Sequence, residues 1–330
     1  MRYCVYGLGA IGGGIAARLA GAGVDLCGIA RGRTLDRVRR DGLGFAPDRG
    51  AEPEFHRILV SDDPAELGPV DCVVVAVKST SLPEIAEGIA SLLGPGTVVV
   101  SAMNGVPWWF LPGLVGHRDD GPLDAVDRGG KLSALLPVDR TVGAVLHMNA
   151  ATDAPGVVRH NSGSRIVLGA ASGKELPAVD VVRDDLDRAG FDVTVSDLIQ
   201  RDVWFKLWGN LSLNPITALT DASTDRVLDD PLLREFVVSC MTEARAVGDR
   251  LGLAIAQSPQ ERIAVTRRLG TVVPSMLQDA RAGRALELDN LVGAVVELGE
   301  RVAVPTPSVS ALLGLARTFG RARGIYPSRP

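Results

Sequence analysis

Met1-Arg2-Tyr3-Cys4-Val5-Tyr6-Gly7-Leu8-Gly9-Ala10-Ile11-Gly12 opens the chain: a short apolar run, three glycines spaced as GxGxxG, then a helix-forming stretch from Ile11 to Ala20. Glycine-rich sequences produce a bare GxGxxG by chance, so it is the order of strand, tight turn and helix that gives this spacing its meaning. In that setting Gly7 permits the turn, Gly9 lets the backbone approach a pyrophosphate and Gly12 allows close helix–strand packing. The helix N-terminus offers its free N–H groups to the anion. Gly7, Leu8, Gly9, Ala10, Ile11 and Gly12 are therefore the candidate cofactor-binding residues of a dinucleotide site.

Outward from that turn the pattern repeats. Val24 to Ala30, Val70 to Val77 and Thr97 to Ser101 read as further strands, with a helix from Ser81 to Leu93 between two of them. Strands alternating with helices imply a parallel sheet covered on both faces. Pro107 to Pro137, rich in Gly, Pro and Asp, reads as a long loop. Short alternating runs at Val142–His147, Gly156–His160 and Arg165–Leu168 suit antiparallel strands, followed by a helix from Val179 to Ala189 and a strand from Phe191 to Val195. Beyond Ser196-Asp197, a helix cap, the pattern is almost wholly helical. The fold class is α/β: a Rossmann-like dinucleotide-binding domain over 1–195 and an all-helical domain over 196–330 for substrate and dimerisation.

Composition supports this division and excludes several classes of function. The 330 residues suit two domains, and 46% apolar with 22% charged residues rules out a disordered or collagen-like chain. Lys and Arg number 35 against 39 Asp and Glu, so the net charge of −4 draws the molecule neither to nucleic acid nor to an anionic membrane. Cys4, Cys27, Cys72 and Cys240 lie far apart with no CxxC spacing, and read as buried small hydrophobes. With no leader pattern and no apolar run of about 18 residues, a cytoplasmic protein is expected.

NAD-binding versions of the fold carry an acid at the end of the second strand, where it bonds the ribose hydroxyls. Here that strand ends Gly28-Ile29-Ala30-Arg31-Gly32-Arg33, and Asp25 stands too early to reach the ribose. Arginines in place of the acid favour a 2′-phosphate, so the expected cofactor is NADP(H), with Arg31 as a contact.

A dinucleotide fold leaves the reaction open. In the apolar stretch after Asp197, Lys206, Asn210 and Asn214 stand at i, i+4 and i+8, one stripe that drifts by only about 80° over about 12 Å of helix. Pro215 is expected to end or kink that helix. A file of amides lining a cleft addresses a small polar ligand, and a partly desolvated lysine has its pKa lowered towards the range of a general acid. Further on, Ser275, Asp279, Glu287, Asp289 and Asn290 are candidates, and spacing alone does not choose among them.

Taken together these residues resemble the ketopantoate reductase (2-dehydropantoate 2-reductase) family. The likeness rests on Gly7 to Gly12, Arg31, Val77-Lys78, Asn104-Gly105, the KxxxNxxxNP run at Lys206, Asn210, Asn214 and Pro215, and the SMxQD…ExDxxxG run from Ser275 to Gly293. It implies an active site between the two domains, where NADPH gives a hydride to the ketone carbon of a 2-oxo acid, 2-dehydropantoate or a related branched one. Lys206 would donate the proton, Glu287 would bond the forming hydroxyl, and Asn210, Asn214 and Ser275 would hold substrate. Asn104 and Lys78 would sit at the nicotinamide end, with Asn104 also touching substrate. Two departures suggest a paralogous branch: a further substrate asparagine of the family falls on Thr224, and Trp108-Trp109-Phe110 begins the long loop. Those aromatics either anchor the loop or reshape the substrate pocket. The competing readings are a β-hydroxyacid dehydrogenase-like oxidoreductase and a non-catalytic NADP(H)-sensing protein. Few charges between Leu207 and Leu219 leave a homodimer open.

Overall fold

Strand β1 (Tyr3–Tyr6) and helix α1 (Ala10–Gly21) lie on either side of the glycine turn, as the opening stretch predicts. The computed structural model describes residues 1–114 and 121–328. After α1 come β2 (Leu26–Ile29), α2 (Gly32–Asp41), β3 (Leu43–Ala46), β4 (Glu54–His56), β5 (Leu59–Ser61), β6 (Val70–Val75), α3 (Leu82–Ala90) and β7 (Leu93–Ser101). The basic helix α2 and the three short strands after it are additions to the sequence reading. Only Leu35 and Val38 of α2 are buried, too few to announce a helix from hydrophobic spacing.

In the stretch expected to be a long loop, residues 115–120 lie outside the described residues. The rest is partly helical: α4 (Asp124–Asp127) and α5 (Lys131–Leu135) are joined by a 3₁₀ turn. The following antiparallel runs form one long hairpin, β8 (Thr141–Ala154) and β9 (Val157–Ala170). The last two runs are a single strand, because the exposed interval at Asn161–Gly163 carries a register shift, with Gly163 at φ 74°, and does not break the pairing. Helix α6 (Ala178–Arg188) and β10 (Asp192–Val195) follow.

Among the described residues the strands form one sheet, ordered β4-β3-β9-β8-β7-β6-β1-β2-β5, with β10 beside β9. Its parallel stretch, β5-β2-β1-β6-β7-β8, runs 3-2-1-4-5-6 when those strands are counted along the chain, the doubly wound order of dinucleotide-binding folds. The order reverses between β1 and β6, and the glycine turn leaves the carboxyl end of β1 at that point. Val5, Val74, Val100 and Val142 fill the sheet, with Ile15 and Leu19 of α1 packed in the same core. All four cysteines are free and buried, as small hydrophobes.

The remainder is helical: α7 (Ile199–Asn210), α8 (Leu213–Thr220), α9 (Thr224–Asp229), α10 (Pro231–Arg250), α11 (Pro259–Arg268), α12 (Ser275–Arg281), a π-helical turn at Asp289–Gly293, α13 (Ala294–Arg301) and α14 (Pro307–Ala322). Contacts divide the chain into two compact units. One holds Met1–Met103, a piece beginning at Trp109, and Gly130–Asp202; the other holds Asn104–Trp108, a piece ending at Gly129, and the chain from Val203. Among the described residues no helix is long and apolar enough to cross a membrane.

Candidate active site

The glycine turn is built for a ligand. Gly7 has φ 101°, a conformation that L side chains rarely adopt, and a methyl there would lie 2.8 Å from Val77 Cγ1. A methyl at Gly12 would strike the Gly7 carbonyl oxygen and come within 2.8 Å of Ala76 Cβ. Gly9 differs: nothing lies within 4 Å of where its methyl would be, and as N-cap of α1 it makes no side-chain cap bond. Two glycines are thus required by packing, and the third faces open space at a helix N-terminus, the arrangement that admits a pyrophosphate. Lys78, which caps a 3₁₀ turn, follows the Val77 that packs on Gly7. No acid closes β2. Arg31, the N-cap of α2, is exposed, and its guanidinium works against the burial that pushes the Tyr6 hydroxyl up, which places it by the last residue of β1. These residues fit NADP(H).

The second unit holds a recess lined by polar side chains, Asn104, Asn210, Asn214, Ser275, Glu287 and Asn290 among others. Lys206 donates from Nζ to Asn104 Oδ1 at 2.7 Å. Loss of water around the ammonium pushes its pKa from 10.5 down to about 8, against the opposing pull of the Glu287 carboxylate. A lysine so placed is charged at neutral pH yet holds its proton less tightly than an exposed one, which suits a donor to an incipient alkoxide.

The stripe of Lys206, Asn210 and Asn214 does not lie on one helix. Helix α7 ends at Asn210 and α8 begins at Leu213, earlier than a simple stop at Pro215. Pro215 has no N–H to donate to the Leu211 carbonyl, and in a continuous helix its ring would clash with that carbonyl, so the break falls before it and Pro215 takes a place in the first turn of α8. Both asparagines still line the recess.

The second cluster resolves by partner. Asp289 accepts from Arg317 Nη2 at 2.7 Å and from the Tyr326 hydroxyl at 2.6 Å, and so ties the π-helical turn to α14 and the chain after it. Asp279 also lines the recess, but its Oδ1 accepts from Arg284 Nε at 2.7 Å. Asn290 is one of the candidates that spacing alone does not choose among, and its partners now set it apart. It is 3% exposed, lines the recess, donates from Nδ2 to the Asn104 carbonyl at 2.7 Å and leaves its buried Oδ1 without a hydrogen bond. No local signal could give it a role, because its partner lies 186 positions away. Trp108, Trp109 and Phe110 are buried and do not line the recess, and Trp109 fills the space left by the missing side chain of Gly143. That arrangement supports an anchoring role for them. Thr224 is buried at the start of α9 and does not line the recess.

Two family models match the chain: "Ketopantoate reductase PanE/ApbA" over residues 3–173 and "Ketopantoate reductase PanE/ApbA C terminal" over residues 198–319. A 2-dehydropantoate 2-reductase of Mesorhizobium japonicum is 39% identical over 327 residues, spanning 99% of this chain and all of that protein. A second, from Halobacterium salinarum, is 30% identical over 97% of this chain and 99% of its own. Among solved structures, a Ralstonia solanacearum protein provisionally named a ketopantoate reductase superposes with a TM-score of 0.93 at 44% identity, covering 98% of this chain and 99% of that one.

Proposed function

The chain belongs to the ketopantoate reductase family, and on that premise we propose that it uses NADPH to reduce a 2-oxo acid, 2-dehydropantoate or a related branched one, to the 2-hydroxy acid. Bound at the glycine turn, with Arg31 on the 2′-phosphate and Lys78 and Asn104 towards the nicotinamide, the cofactor supplies the hydride. The protein's own residues do the rest. Lys206 presents a proton to the carbonyl oxygen as negative charge gathers there, and a cationic donor aimed at that oxygen stabilises the charge as it develops. Glu287 keeps that lysine protonated until transfer and accepts from the forming hydroxyl. Asn210, Asn214 and Ser275 line the recess with amide and hydroxyl groups, which can hold a carboxylate and a hydroxyl without a further buried charge.

The observation that carries this reading is the desolvated Lys206 hydrogen-bonded to Asn104 at the polar recess. The reading assigns cofactor to residues of 1–195 and most substrate contacts to residues of 196–330, in a cytoplasmic enzyme that works as a homodimer. Light scattering on purified protein tests the dimer. The substrate is tested by following NADPH absorbance with 2-dehydropantoate and a panel of branched and aromatic 2-oxo acids. A clear optimum for a branched 2-oxo acid supports the reading; tight NADPH binding with no turnover on any carbonyl would leave a nucleotide sensor instead.

A further inference from the structure

We infer that Asn290 is a positioning residue for Lys206, acting through Asn104; this rests on Lys206 as the proton donor. Asn104 is exposed, stands in a segment without regular secondary structure, and is followed by Gly105 at φ 79°. Nothing in the local sequence fixes such a residue, yet its Oδ1 must meet the lysine. Asn290 grips the segment on both sides of Gly105. Its side-chain Nδ2 donates to the Asn104 carbonyl at 2.7 Å, and its own carbonyl accepts from Val106 N–H at 2.8 Å. Any side chain at Gly105 would run into the Asn290 amide, coming within 2.8 Å of its Cγ, so the approach depends on that glycine. The amide has one orientation available, since only its NH₂ end can donate to a carbonyl. Asn290 is itself held by the π-helical turn that Asp289 ties to Arg317 and Tyr326.

The chain of bonds therefore runs Asn290, Asn104, Lys206. An acceptor on the ammonium favours its charged form, opposing the loss of water around it. The Glu287 carboxylate acts on Lys206 through its charge, while Asp279 is paired with Arg284 and Asp289 with Arg317. Freed from Asn290, Asn104 loses its fixed place, and with it Lys206 loses both its aim and part of its support as a cation.

The experiment reads Lys206 directly. Competitive acetylation across pH, quantified by mass spectrometry on the Lys206 peptide, gives its titration midpoint whether or not the enzyme turns over. In Asn290→Ala the midpoint moves to lower pH, kcat at neutral pH falls by about 10-fold to 100-fold, and KM for NADPH stays within about twofold. In an Asn104→Ala background the same substitution adds no further loss, because both act on one path. If Asn290→Ala melts below the assay temperature, Asn290→Leu, of similar size but without a donor, carries the same readouts. An unmoved midpoint, or losses that multiply with those of Asn104→Ala, overturns the inference. Full turnover in Lys206→Ala overturns the assignment of the proton donor, while the acetylation midpoint still reports whether Asn290 holds the lysine.

Discussion

Raising the pH should switch the enzyme off at a point set by Lys206. With a pKa of about 8 in place of 10.5, the lysine is about nine-tenths protonated at pH 7 and about one-tenth at pH 9, where an ordinary lysine would still be almost fully charged. In the proposed mechanism the protonated form is the donor, so the rate constant for reduction should be full below about pH 7 and fall about tenfold between pH 7 and pH 9. Glu287→Gln removes the charge that raises this pKa, so the fall moves to lower pH and activity at pH 7 drops as well. The assay is rapid mixing of the NADPH-loaded enzyme with substrate across pH, with deuterated NADPH as a parallel run to establish that hydride transfer is the step observed. A rate that stays level to pH 9.5, or a pH limb untouched in Glu287→Gln, would mean that Lys206 is not the group whose proton limits reduction.

Three further outcomes follow from the geometry. Gly9→Ala should fold and melt like the parent, since its methyl enters open space, but should lose NADPH affinity; calorimetric binding beside a thermal melt checks both. Gly12→Ala, whose methyl would land on the Gly7 carbonyl, should cost about 1–3 kcal/mol or more of stability in a denaturant titration. Arg31→Ala should weaken NADPH by about 10-fold to 100-fold, as expected for one charge-assisted bond, while NADH affinity barely changes; equal losses for both nucleotides would argue against a 2′-phosphate contact.

The parts of this molecule legible in the sequence are those whose causes are local. The glycine turn is read from six consecutive residues, because the need for positive φ at Gly7 and for absent side chains arises between near neighbours. Lys206, Asn210, Asn214, Ser275 and Glu287 are named by the motifs they stand in, and the recess brings the last four together. The break at Leu211 is half legible: Pro215 announces that a helix must end, but not that the proline falls in the first turn of the next one. Asn290 stands among the candidates, but its role is not readable there, since its bonds reach Asn104 and Val106 from far along the chain. The same holds for Trp109, whose fit against Gly143 is settled by packing within the first unit.

In the proposed mechanism a desolvated Lys206 protonates a 2-oxo acid reduced by NADPH. A single-turnover experiment with 2-dehydropantoate, comparing the parent with Lys206→Ala at equal NADPH occupancy, tests it most directly. One equivalent of NADPH should be consumed by the parent, and the rate in the variant should be lower by about 10²-fold to 10⁴-fold with NADPH affinity nearly intact. Equal rates in the two proteins would contradict it.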